Sequence, residues 1–185
     1  MTIENIAVFG AGRLGSQLAF HAAFRGFKVV VFEVDNQAAC KARERIIGIA
    51  TSYIRDLAAP EAIASRALGN LSYSVNMSEA VSDADLMIEA IPSRPAIKKS
   101  FYQQIGAVAP RHTIFAACSS VLAAELATCS GRPRRFLSFG FSLDIWRADC
   151  MKLTAFGDSD MDAVYAAIAF MEELELAVLP IGIVG

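Results

Sequence analysis

Ile6-Ala7-Val8-Phe9-Gly10-Ala11-Gly12-Arg13-Leu14-Gly15 is an apolar run that breaks into a G-x-G-x-x-G pattern, and its reading decides the fold. Gly10 permits a tight turn off a buried strand. Gly12 lets backbone N–H groups approach a diphosphate, and Gly15 lets the next helix pack closely on the sheet. A helix opening at Leu14 turns its free N–H groups and the positive end of its dipole to the same point, which favours an anion there. Leu18 and Ala22 continue that helix, and Gly26 stops it. Lys28-Val29-Val30-Val31-Phe32 then reads as a second buried strand ending in Glu33, where a carboxylate would accept hydrogen bonds from ribose hydroxyls. The same carboxylate would repel a 2′-phosphate, so the pattern favours NAD over NADP.

The rest of the chain extends this unit. Ala38, Ala42, Ile46, Ile49, Tyr53 and Leu57 fall at helical spacing after Asp35, which is placed to cap that helix. Pro60 breaks it, and a short helix over 61–68 follows. Leu71 to Ser74 reads as a strand, with Ser78 or Ser82-Asp83 as a turn or cap. Leu86 to Pro92 is the next buried strand. Pro95 stands near the first position of a helix with Ile97, Phe101, Ile105 and Val108 as its apolar stripe. Thr113 to Cys118, Phe136 to Phe141, Lys152 to Phe156 and Ala177 to Leu179 complete the strands. Helices lie between them through Leu126 and through Val164 to Leu174, the latter capped by Asp158 or Ser159. Strands alternating with helices predict one α/β domain over residues 1–185: a doubly wound, mostly parallel, Rossmann-like sheet with ligands at its C-terminal strand ends.

Composition excludes several classes. A net charge of −2 gives no basic footprint for nucleic acid. No apolar run approaches the length of a membrane span, and no signal peptide precedes the first strand. Cys40, Cys118, Cys129 and Cys150 lack both metal-ligand and disulfide-framework spacing, which fits free thiols in a reducing cytoplasm. Only His21 and His112 could join them, so no metal site is expected.

Three segments together, the glycine loop, Ala84-Asp85-Leu86-Met87-Ile88-Glu89-Ala90-Ile91-Pro92, and Cys118-Ser119-Ser120 with Glu125-Leu126, resemble the NAD-binding domain of the 3-hydroxyacyl-CoA dehydrogenases. The resemblance implies NAD-dependent interconversion of a 3-hydroxyacyl and a 3-oxoacyl thioester, or of a related hydroxy acid, as in fatty acid metabolism. It implies cofactor contacts from Gly10, Gly12, Arg13, Leu14, Gly15, Glu33, Ala90, Ile91 and Lys98. It also implies that Ser119 contacts the reacting oxygen. A helical domain follows in the family, supplying dimer contacts, and this chain stops at Gly185, about where that domain would begin. A homodimer or a helical partner subunit is therefore expected. Phe141, Leu143, Ile145 and Trp146 are expected to form an exposed apolar patch where it would dock.

The match departs where the family carries its acid–base residues. Gly140 aligns with the catalytic histidine and Leu143 with an asparagine. The glutamate that orients the histidine falls at Lys152 without a gap, or at Ala155 with one. An acidic residue of the cofactor segment is Ser93, and an asparagine before Ser119 is Ala117. Alcohol oxidation needs a base for the hydroxyl proton, which glycine cannot supply. Lys152 is the candidate proton donor in its place. His112 precedes a strand, on the far edge from the glycine loop, and His21 lies about two turns into the first helix, so neither is expected to serve. The alternative to an active dehydrogenase is a silent NAD-binding sensor, regulatory subunit or partner-dependent domain.

Overall fold

A computed structural model describes residues 1–118, 123–141, 143–147 and 150–184, of which 180–184 are described by their backbone alone. Among the described residues eight strands form one sheet in the order β3-β2-β1-β4-β5-β6-β7-β8. They are β1 (Asn5–Phe9), β2 (Lys28–Phe32), β3 (Leu71–Ser74), β4 (Leu86–Glu89), β5 (Ile114–Ala117), β6 (Phe136–Gly140), β7 (Cys150–Phe156) and β8 (Ala177–Val184). β1 to β6 are parallel neighbours, β7 runs antiparallel to β6, and β8 runs parallel to β7. The doubly wound, mostly parallel sheet expected from the alternating pattern is thus observed.

The helices are α1 (Arg13–Phe24), α2 (Asn36–Leu57), α3 (Glu61–Gly69), α4 (Met77–Val81), α5 (Pro95–Val108), α6 (Ala123–Cys129) and α7 (Met161–Glu173). They cover two faces. One core joins Ile6, Val8, Val29 and Val31 to Leu18, Ile46, Tyr53 and Phe170; the other joins Ala7, Phe9, Met87 and Phe115 to Phe101, Ile105 and Leu126. Period-two alternation puts Ile6 and Val8 on one face and Ala7 and Phe9 on the other, and both are apolar because helices cover both.

Local chemistry sets the ends of these elements. Gly26, at φ +105°, closes α1: Phe27 N–H reaches Ala22 O and Gly26 N–H reaches Ala23 O, both at 3.1 Å. Asp35 caps α2 as its position suggested, accepting from Ala38 N at 2.7 Å. Two other caps differ from expectation. Asn76, not Ser78 or Ser82, caps α4, because its carboxamide oxygen takes both Ser78 N and Glu79 N, at 3.0 and 3.3 Å. Asp160 begins α7, while Ser159 turns back to accept from Phe156 N at 2.9 Å. β4 also stops at Glu89 rather than running to Pro92, since the next residues turn over the glycine loop.

Candidate functional site: a cavity at the crossover between β1 and β4

From β1 the chain winds outward through β2 to β3 and then returns on the other side of β1 as β4. The loops after neighbouring parallel strands part at this reversal, leaving a crevice beyond their C-terminal ends. A cavity of about 1100 Å³ lies there, walled by Gly10, Gly12, Phe32, Glu33, Ala90 and Ile91 and closed on the α5 side by Ile97 and Phe101.

Glycines are required at two points of the loop. Gly10 sits at φ +89°, and a Cβ there would stand 3.0 Å from Ala90 O. A Cβ on Gly15 would meet Gly10 O at 1.9 Å, so only glycine allows α1 to seat against the loop. Gly12 has open space on its side-chain side. Arg13 is exposed at the first position of α1, Leu14 is half-buried behind it, and Gly15 is buried. Glu33 leans back over the loop, and its Oε1 accepts from Ala11 N at 2.6 Å. The Ala11 carbonyl accepts in turn from Ser16 Oγ at 2.6 Å and from Arg45 Nη1.

The opposite wall is held by a buried charged pair. Glu89, at the end of β4, is fully buried; its Oε2 accepts from Lys98 Nζ at 2.8 Å and Tyr102 Oη at 3.2 Å, and its Oε1 from Ile91 N at 2.9 Å. Lys98 is 5% exposed, and its ammonium faces this carboxylate rather than the cavity lining. Burial, followed by the Glu89 charge, raises the Tyr102 hydroxyl well above the ordinary tyrosine value and does the same to the Cys118 thiol. Glu89 carries much of this wall, yet its motif alone assigned it no role. Two signals point to it: a carboxylate ending a buried apolar strand, and Lys98 lying on the same helix face as Phe101, Tyr102 and Ile105.

The cavity residues fit a dinucleotide. Gly12 leaves room for close approach, α1 begins there, and Glu33 presents a carboxylate with one oxygen left over from the Ala11 bond. Among the described residues no group of three metal-ligating side chains occurs.

The catalytic candidates are distributed differently. Ser119 lies outside the described residues. Gly140 and Lys152 are cross-strand partners on β6 and β7, and the position of a Gly140 Cβ is 3.2 Å from the Lys152 Cβ. Lys152 is exposed, whereas Ala155 is buried in the core that holds Leu137 and Phe139. His112 is exposed near the start of β5, 3.6 Å from Asp85. His21 is buried between Tyr53 Oη at 2.6 Å and Leu174 O at 2.9 Å, away from the cavity lining.

The expected apolar patch is mostly internal. Ile145 is buried, and Phe141 and Trp146 are half-buried, with the Trp146 ring 5.4 Å from that of Tyr53. Only Leu143 of the four is exposed. The cause is Gln17 on α1, whose Oε1 accepts from Asp144 N at 2.8 Å and Ile145 N at 3.4 Å and draws the segment inward.

Comparison with known proteins agrees with this geometry. The model of the 3-hydroxyacyl-CoA dehydrogenase NAD-binding domain matches residues 5–181. A probable 3-hydroxybutyryl-CoA dehydrogenase of Bacillus subtilis is 32% identical over 142 residues, 76% of this chain and 49% of that protein. The 5-formyl-3-hydroxy-2-methylpyridine 4-carboxylate 5-dehydrogenase of Mesorhizobium japonicum is 32% identical over 118 residues, 64% of this chain and 37% of that one. A solved diketoreductase, described for dual catalysis of dicarbonyl compounds, superimposes with a TM-score of 0.94 at 33% identity, covering 97% of this chain and 64% of its own. The chain spans about half the length of the Bacillus relative.

Proposed function

The chain belongs to the 3-hydroxyacyl-CoA dehydrogenase family through its NAD-binding domain, and from that premise we propose that residues 1–185 hold NAD for hydride exchange with a 3-hydroxyacyl thioester or related hydroxy acid. The observation that carries this reading is the meeting of Glu33 with the glycine loop in the cavity between β1 and β4. NAD, when bound, supplies the hydride acceptor, and its reduced form the donor.

The chain's own residues bind and orient. The first N–H groups of α1 lack intrahelical acceptors and would hold the diphosphate. Glu33 keeps one oxygen on Ala11 and offers the other to ribose hydroxyls, which selects against a 2′-phosphate. Ala90 and Ile91 wall the cavity, and Lys98 acts through Glu89 to hold that wall. Ser119 would hydrogen-bond the reacting oxygen and Lys152 would supply the proton. A second copy or a helical partner subunit would complete the substrate side, and the reaction would run in the cytoplasm.

A second reading rests on Gly140 and Lys152. They stand opposite each other where an acid–base pair is expected, and neither is a histidine or a carboxylate. On this reading the chain binds NAD and turns nothing over by itself. Calorimetric titration with NAD and NADH, followed by NADH oxidation with acetoacetyl-CoA, separates the two. Binding with turnover supports the dehydrogenase, and loss of that turnover in Lys152→Ala would assign the proton donor. Binding without turnover supports the silent domain. Absence of binding would sink both.

A further inference from the structure

Ala11 is fully buried, and side chains from three separate segments take both of its backbone polar groups. Its N–H donates to Glu33 beyond β2, and its carbonyl accepts from Ser16 on α1 and from Arg45 on α2. The Ala11 carbonyl and the Gly12 N–H belong to one rigid trans peptide and point in opposite directions. Whatever grips that carbonyl therefore aims the Gly12 N–H. Gly12 caps α1 and lines the cavity, with no neighbour among the described residues within 4 Å of a Cβ placed there.

Arg45 is absent from the cavity lining, and as a residue it is exposed. Its neighbours on α2, Ala42, Ile46 and Ile49, are buried in the core where α2 packs on α1 and α3, while Arg45 turns its guanidinium back to a loop carbonyl that already has a donor in Ser16. A charged donor adds a bond stronger than a neutral one at this acceptor. The link also ties the loop to a second helix, so the loop cannot shift without α2.

We propose that Arg45, with Ser16, is a positioning residue of the dinucleotide loop: together they hold the Ala11 carbonyl so that the Gly12 amide faces the cofactor diphosphate. The proposal rests on the NAD reading above. It predicts that Arg45 governs diphosphate affinity without touching the ligand, and that adenosine, which lacks the diphosphate, is indifferent to it.

The test compares wild type, R45A, R45K, S16A and, as a control on the same helix, R43A. Adenosine and ADP compete against NADH fluorescence, and thermal unfolding reports folding. Expected is a fall of about fivefold in the ratio of ADP to adenosine affinity for R45A, with adenosine itself unchanged. R45K should restore part of the ratio, S16A should lower it, and R43A should match wild type. A merely structural arginine would weaken adenosine and ADP alike, and that result, or an unchanged ratio in R45A, overturns the proposal. If wild type binds no NADH, the NAD reading fails on its own account. Hydrogen exchange at the Gly12 amide then decides the clamp, which falls if R45A exchanges at the wild-type rate.

Discussion

Glu33 shows how one side chain can tie the loop's shape to its ligand. One oxygen is spent on Ala11 N, so substitution acts on both the loop and the ribose acceptor. Glu33→Gln keeps an acceptor for Ala11 but loses the charge; NADH affinity should fall about tenfold and the preference for NADH over NADPH should narrow. Glu33→Ala also frees the loop, so it should lose more than Glu33→Gln. Fluorescence titrations of both variants with NADH and NADPH check the order; equal losses would mean that the loop bond contributes nothing. Glu33 and the glycines were legible in the sequence because each answers a local demand: a turn, a close approach, a strand-end carboxylate. The bonds made by Arg45, Ser16 and Glu89 are not legible in the sequence, because their partners are main-chain groups or a lysine whose position depends on how β4 turns into α5.

At the scale of elements, two charged side chains hold helix α5. Lys98 near its start pairs with Glu89 at the end of β4. Removing one partner of a buried pair strands the other charge, so Lys98→Met should cost about 3 kcal/mol in urea unfolding, and Glu89→Gln/Lys98→Met should recover much of that loss. A double mutant no more stable than the single would refute the pairing. At the other end, Arg132 donates to Gly106 O, Ala109 O and Pro110 O, with its guanidinium over the Phe115 ring at 4.6 Å. Burial, with Arg135 and Arg111 nearby, lowers its pKa, yet the three carbonyls keep the fork in place. Arg132→Ala should cost about 2 kcal/mol, and Lys should not rescue it, since an ammonium cannot match the planar fork across three acceptors. Thermal unfolding of the two variants tests this. Element positions are readable from apolar period and breakers, whereas a cap depends on the residue at which the helix begins, which the sequence leaves open between neighbouring polar residues. Asn76 is the cap because α4 begins at Met77, which leaves Ser78 inside the helix with its own N–H among the two that Asn76 accepts. The inward packing of Ile145 and Trp146 is not legible in the sequence, since Gln17, which draws them in, lies on α1 far away in sequence.

Over the whole molecule, His21 joins α1 to α2 and to the turn after α7. A carbonyl can only accept, so Nε2–H donates to Leu174 O, and in the neutral ring Nδ1 accepts from Tyr53 Oη. Burial favours that neutral form. Burial lowers its pKa from the usual 6.5, the Leu174 bond partly opposes this, and Arg25 and Glu175 add smaller effects of opposite sign. Burial likewise raises the Tyr53 hydroxyl, which keeps its proton for the bond. In the unfolded chain His21 binds a proton near its ordinary pKa, while the folded chain resists it. The unfolded state thus holds more protons below about pH 6.5, and stability must fall as the pH drops from there toward the folded-state value. Asp56 and Asp162, held below the usual carboxylate range by Arg55 and Arg135, are exposed, and their contribution is lost only at lower pH. Urea unfolding between pH 7.5 and 5.5 should show a loss of up to about 1 kcal/mol per pH unit. His21→Gln should flatten that slope even where it lowers stability throughout. An unchanged slope in that variant would place the proton uptake elsewhere and remove His21 as the group that couples the three helices to pH.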